Sequence, residues 1–364
     1  MFRCMTPYVL PSPRFRSLRG ATGVASAVFL LAGASASAER RTRLVAKLDV
    51  GVSAMCVDID RTCSLAAAGG GRDDGDTSSG RVRVWRIRGR KCLWSHDTGR
   101  RVVCVEFVAN GRTLVSVSDV VTMWDARSGA RVRSFPVGND CSSGSVSRDG
   151  RYVVCVEHNS TRAVVYRTTD GSVAFTISKP AAENSLDAAA FSPSGSRVAS
   201  IGSGLGDNLV GYATLSRVDS GKALRTFTAV NKYIFAIGFA TDDLIGTVQA
   251  SADLDMDTVV DMRIYLDRVS SGRRVNSFKV ANHNKTVAAL AFSRNGRWLA
   301  YSVSSGIGDT IRVREIGTGR ELALQAGRMH FVRCLKFSAN SALIATAGED
   351  GRAEIWSIGG SIGS

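Results

Sequence analysis

Histidine and proline are the scarce residues of this chain. Among 364 residues there are four His, at 96, 158, 283 and 330, and six Pro. No two His form an HxxH-type pair, so the converging nitrogen ligands of a zinc centre are not supplied. Eight Cys are present, but no C-x-x-C occurs. Neither a zinc-ligand spacing nor a disulfide framework is implied. Cys56, Cys104, Cys155 and Cys334 lie inside apolar runs and read as small buried hydrophobes. Long hydrophobic runs are missing too. The longest, Val24–Ala34, is short and diluted with Gly and Ser, which excludes an ordinary membrane span. Acid is missing from residues 1–38, which carry Arg3, Arg14, Arg16 and Arg19.

That acid-free start, the short apolar run and the small-residue site Ala36-Ser37-Ala38 together describe a secretory signal peptide. The same composition fits an organelle transit peptide. A retained tail on a cytoplasmic protein is the third reading. The expected division is a targeting segment over 1–38 and one large domain over 39–364. Hydrophobic residues make up 44% of the chain, ample for a core, and charged residues 22%. The net charge of +15 favours acidic partners, although a basic surface also serves solubility alone.

Glycine is abundant, with 37 residues against the six Pro, and it sets the register. The stretch Val102–Phe135 holds four short apolar runs separated by Asn110-Gly111 and Ser128-Gly129. Asn-Gly supplies positive φ cheaply, so this is a four-stranded antiparallel meander. The Ser128-Gly129 turn recurs as Asp170-Gly171, Ser220-Gly221, Ser271-Gly272 and Thr318-Gly319. The Asn110-Gly111 turn recurs as Asp149-Gly150, Ser194-Gly195 and Asn295-Gly296. Phe107, Phe191, Phe239, Phe292 and Phe337 each end the strand before this second turn or its counterpart. Trp85, Trp124, Tyr166, Ser216, Asp267, Arg314 and Trp356 share one position, roughly 40 to 50 residues apart.

At this point the sequence resembles the WD-repeat β-propeller family over about residues 43–358. Trp124-Asp125 is its one literal Trp-Asp pair. His283 stands where the family places a blade-opening histidine, and Asp350 stands six before Trp356, as the family's turn aspartate does. The family's hydrogen-bonded tetrad of His, Ser or Thr, Asp and Trp is complete in no unit. The resemblance implies an all-β fold, a single seven-bladed propeller of four-stranded antiparallel blades. Its structural blade residues would be Trp85, Trp124, Asp125, His283, Asp350 and Trp356. The last unit runs out after its third strand, Ala353–Ile358, while Arg43–Leu48 is an orphan at the other end. An open ring would leave unpaired edges, so Arg43–Leu48 is expected to complete the last blade.

Chemistry is sought and mostly not found. Gly359–Gly363 matches G-x-S-x-G but lacks the strand and helix of a nucleophile elbow. The run from Asp253 to Thr258 alternates carboxylates but lacks the EF-hand glycine and closing Glu. Gly69-Gly70-Gly71-Arg72 has no helix after it to bind phosphate and reads as a loop. No catalytic residue, metal site or cofactor is assigned. The reading is a non-enzymatic protein-interaction scaffold, expected to be a monomer, with no specific nucleic acid partner. The rival is an exported propeller enzyme, or a small-ligand or cation binder using the central channel and acidic loops. Charge sorts by face. One set of turns carries Arg112, Arg148, Arg151, Arg197, Arg294 and Arg297, and the other carries Arg131, Arg273, Arg274 and Arg320. All these turns emerge on one face of such a disc. The opposite loops are acidic, so an acidic partner is expected on the basic turn face.

Overall fold

In the computed structural model, residues 42–74, 77–138, 141–157, 162–178, 185–205, 209–253, 258–282, 286–304, 308–324 and 331–359 are described. All belong to the compact unit Arg40–Ser364. The expected targeting segment 1–38, His283 and the middle of the acidic run after Asp253 lie outside the described residues.

The local pattern explains the sheets. In the second repeat, Cys104–Val108, Thr113–Val117, Val120–Asp125 and Arg131–Pro136 form the strands a to d of one meander. Strand b, Thr-Leu-Val-Ser-Val, is covered on both faces, hence its near-continuous apolar run. Strand d is exposed at all but one position of Arg131–Pro136 and reads as mixed Arg and Val. Asn110 and Gly111 take φ of 59° and 84°, as an Asn-Gly turn requires.

Seven four-stranded antiparallel sheets of this kind occur among the described residues. Their innermost strands are Ala54–Ile59, Cys104–Val108, Cys141–Val146, Ala188–Phe191, Lys232–Thr241, Leu290–Phe292 and Val332–Phe337. Each touches the next in this order, and the last returns to the first. Apolar clusters fill every interface between neighbouring sheets, so the core is a set of wedges around an axis. We call the sheets blades 1 to 7 in the order of these strands. The fold is an all-β propeller. Blade 7 takes its outer strand from the start of the chain, because Arg43–Asp49 pairs with Arg352–Ser357.

Two expectations need correction. Gly69, Gly70 and Gly71 are not a loop but lie in strand Leu65–Asp74. The strand passes so close to its neighbour that a Cβ on Gly70 would meet the Ser53 carbonyl at 1.8 Å. Cys155 is buried as expected but bonded, its partner being Cys141 on the adjacent strand. No C-x-x-C spacing announces a bridge between strands that only pairing brings together. The strand-end residues Phe107, Phe191, Phe292 and Phe337 are not fully buried, although Phe107 packs against the cluster that holds Trp124 and Phe337 against the one that holds Trp356. They are half-buried, because the innermost strands turn that position toward the channel.

Candidate interaction face and channel mouth

The tryptophan position is the natural place to begin, since it fixes how each blade presents its turns. Trp124 is 8% exposed and donates from Nε1 to Ser116 Oγ at 2.9 Å. The His96 ring of blade 1 stacks on it at 4.7 Å. Trp85 and Trp356 are likewise buried, though Trp356 Nε1 has no hydrogen-bond partner among the described residues. Asp125 accepts from the Ser128 N–H at 2.8 Å and the Arg127 N–H at 3.1 Å, so it ties the c–d turn. Asp350 accepts from the Arg352 N–H at 3.2 Å, within its b–c turn. In blades 5 and 6 the Trp position holds charge instead. Asp267 pairs with Arg274 at 3.0 Å, and Arg314 pairs with Glu321 at 2.9 Å.

These pairings divide the expected basic face. Arg151 is held by Asp149, Arg197 by the Asp242 carbonyl, Arg297 by Glu315 at 2.6 Å and Arg274 by Asp267. Arg112, Arg131, Arg273 and Arg320 are exposed, and their guanidinium groups have no hydrogen bond or ion pair among the described residues. On the opposite face Asp309 is not a loop carboxylate. It starts strand Asp309–Glu315, is buried, and accepts the backbone N–H of Val332 in the next blade.

A recess of about 520 Å³ lies between blades 3 and 4 on the turn face, beside Arg151, Arg197 and Arg217. Its positive charge is largely spent. Arg217 donates to Asp219 at 2.9 Å and holds that carboxyl at about 2, while Arg151 is engaged by Asp149.

The deeper opening is the channel mouth, a cavity of about 450 Å³ on the same face. Each blade contributes an apolar strand-end residue to it: Ile59, Phe107, Val146, Phe191, Phe239, Phe292 and Phe337. Arg61, Arg148 and Arg294 line its rim. The Arg61 guanidinium donates to Asn110 Oδ1 at 2.7 Å, whereas those of Arg148 and Arg294 have no partner among the described residues. Inside, one residue before the apolar position, stand Asp58, Glu106 and Lys336. Other blades place Ser145, Ala190, Gly238 and Ala291 there. Lys336 Nζ reaches Glu106 Oε1 at 3.2 Å. Asp58 Oδ2 accepts the Phe107 N–H at 2.8 Å, and Glu106 Oε1 accepts the Val146 N–H at 3.4 Å. Each acid thus stitches its blade to the next.

Burial pushes the Asp58 carboxyl up to about 7; the Lys336 charge opposes this and the Glu106 charge adds to it. Burial alone would lower the Lys336 ammonium, but Glu106 and Asp58 outweigh it and hold the group above its ordinary value. Burial likewise raises the thiols of Cys56, Cys104 and Cys334, two residues before these charged positions. Among the described residues, no group of three or more His, Cys, Asp or Glu is placed to hold a metal ion.

The channel residues were missed in the sequence, although a signal was present. Asp58, Glu106 and Lys336 all directly precede the apolar strand-end marker and follow Cys by two.

The family described as WD domain, G-beta repeat matches residues 272–313 and 324–357. The first segment spans the outer strand of blade 5 and strands a to c of blade 6, and the second spans strands a to c of blade 7. These repeat matches, with the ring of four-stranded antiparallel sheets, support a WD-repeat β-propeller family. Proteins with WD repeats generally serve as protein-interaction scaffolds. A comparison with curated proteins finds no match. No helix among the described residues is long and apolar enough to cross a membrane.

Proposed function

We propose that this WD-repeat chain is a non-enzymatic platform that docks an acidic protein on its turn face. The observation that carries the reading is the set of exposed guanidinium groups on Arg112, Arg131, Arg273 and Arg320 that no carboxylate among the described residues engages. An unpaired guanidinium presents a planar fork of donors suited to carboxylate. The arginines at 151, 197, 274 and 297 hold turns in place and support this surface. The non-enzymatic part of the reading is favoured by protonation. Lys336 is held as an ammonium, and Cys56, Cys104 and Cys334 are held as thiols, forms that are not nucleophilic.

One copy of the chain suffices for this role. Residues 1–38 act as a signal peptide on this reading, and cleavage after Ala38 leaves the closing strand Arg43–Asp49 whole.

The test is the fourfold reversal of Arg112, Arg131, Arg273 and Arg320 to Glu. A partner recovered by affinity capture and identified should bind the variant at least roughly tenfold more weakly, with a shallower dependence on salt. The thermal midpoint should stay near that of the parent. Equal affinity and an equal salt slope would remove the basis for the reading.

A further inference from the structure

We propose that the channel mouth on the turn face is a peptide site, taking an acidic side chain flanked by apolar residues from the docked partner. The proposal rests on the turn-face reading and names what that partner inserts. A cavity of about 450 Å³ is the size of ordinary ligand pockets, and its wall includes an apolar strand-end residue from every blade. Such a wall gives area to apolar side chains but no orientation. The polar groups supply that.

Each acid of the channel already holds a donor of the chain through one of its oxygens. Asp58 is turned onto the Phe107 N–H, and Glu106 takes both the Val146 N–H and Lys336. The cations are not used up. An ammonium has three donors, and Lys336 makes a single hydrogen bond, to Glu106, while remaining half-buried at the cavity wall. At the rim, Arg148 and Arg294 are exposed and without a partner. Along the cavity Arg61, Arg148, Arg294 and Lys336 outnumber Asp58 and Glu106, so it presents net positive charge around an apolar well. A basic segment would meet two bare guanidinium groups at the entrance and a lining of net positive charge. An uncharged apolar segment would leave the donors unpaired. A carboxylate between apolar neighbours satisfies both features. Free peptide ends and folded loops carry the same chemistry, and the mouth opens on the face where the partner is proposed to sit.

A random heptapeptide display library, selected on the full chain, tests this directly. The expected consensus is Asp or Glu with apolar neighbours. A synthetic peptide of the leading sequence should lose roughly tenfold or more in affinity when its acid is replaced by the amide, and similarly toward the double variant R148A/R294A. Both arginines are exposed and have no partner among the described residues, so their removal leaves folding intact. K336M should weaken the same peptide, and unfolding midpoints of all variants are recorded alongside. An acidic consensus that binds R148A/R294A as tightly as the parent, but is lost on the fourfold reversal of Arg112, Arg131, Arg273 and Arg320, overturns the channel site and leaves the turn-face reading standing. A basic consensus, or none, overturns both.

Discussion

Asp58 sits among inner strands that displace water, and its carboxyl titrates near 7 rather than near 4. The folded chain therefore keeps a proton that the unfolded chain releases. Its contribution to stability is fully present below about pH 4 and is lost as pH rises through about 7, at a slope of at most about 1.4 kcal/mol per pH unit. Asp58→Asn keeps an oxygen for the Phe107 N–H and removes the titration. Urea midpoints between pH 5 and 8 should fall for the parent and stay flatter for D58N. Parallel profiles would mean that the carboxyl is not the group responsible. At this scale the sequence was least legible. Trp124 and Trp356 stood out because their size and spacing are local facts. Asp58, Glu106 and Lys336 did not, because their meaning comes from three different blades meeting at the axis. The pairing of Arg151 with Asp149 was within reach, being two residues apart, whereas that of Arg197 with the Asp242 carbonyl crosses a blade boundary.

The c–d turn is the element repeated most faithfully, and its glycine has two duties. At Gly171 φ is +76°, and a Cβ would lie 2.7 Å from Phe135 Cγ on the outer strand of the preceding blade. At Gly129 the same space is taken by Trp94 of blade 1. At Gly89 φ is +80° but nothing lies within 4 Å. Gly89→Ala should therefore cost only the backbone strain, about 1 kcal/mol. Gly171→Ala adds displacement of a packed ring, for a total of about 2–4 kcal/mol. Chemical denaturation of the two variants side by side checks the difference, and equal losses would rule out the packing role. The turn glycines were readable as turns because positive φ is a local demand. Their contact with the previous blade was not readable, since nothing in a Ser-Gly pair points to an aromatic residue one repeat earlier. The same non-locality hid strand Leu65–Asp74 behind its glycines, which permit a neighbouring backbone to approach.

At the scale of the whole molecule, the ring is held shut by one strand. Arg43–Asp49 pairs with Arg352–Ser357, and without it blade 7 would expose an unpaired edge. Deleting residues 43–49 should lower the thermal midpoint by several degrees, on the order of 2–4 °C per kcal/mol lost, and produce oligomers visible by light scattering. A monodisperse variant with the parent's midpoint would show that closure matters little. This feature was legible in the sequence, because a missing strand at one end and a spare strand at the other is a matter of counting repeats. It also makes the protein's beginning depend on its end. Arg43 meets Ser357, so during synthesis the first strand leaves the ribosome long before its partner exists. At about 5–20 residues per second that wait is roughly 15 to 60 s. Throughout it, a short strand with an exposed hydrogen-bonding edge must avoid every other edge in its surroundings. The six other blades can form as local meanders in turn, but the ring as a whole becomes stable only once Arg352–Ser357 has been made. A chain interrupted just short of Arg352–Ser357 is then an almost complete propeller with two open edges, the form of this protein most in need of chaperone protection.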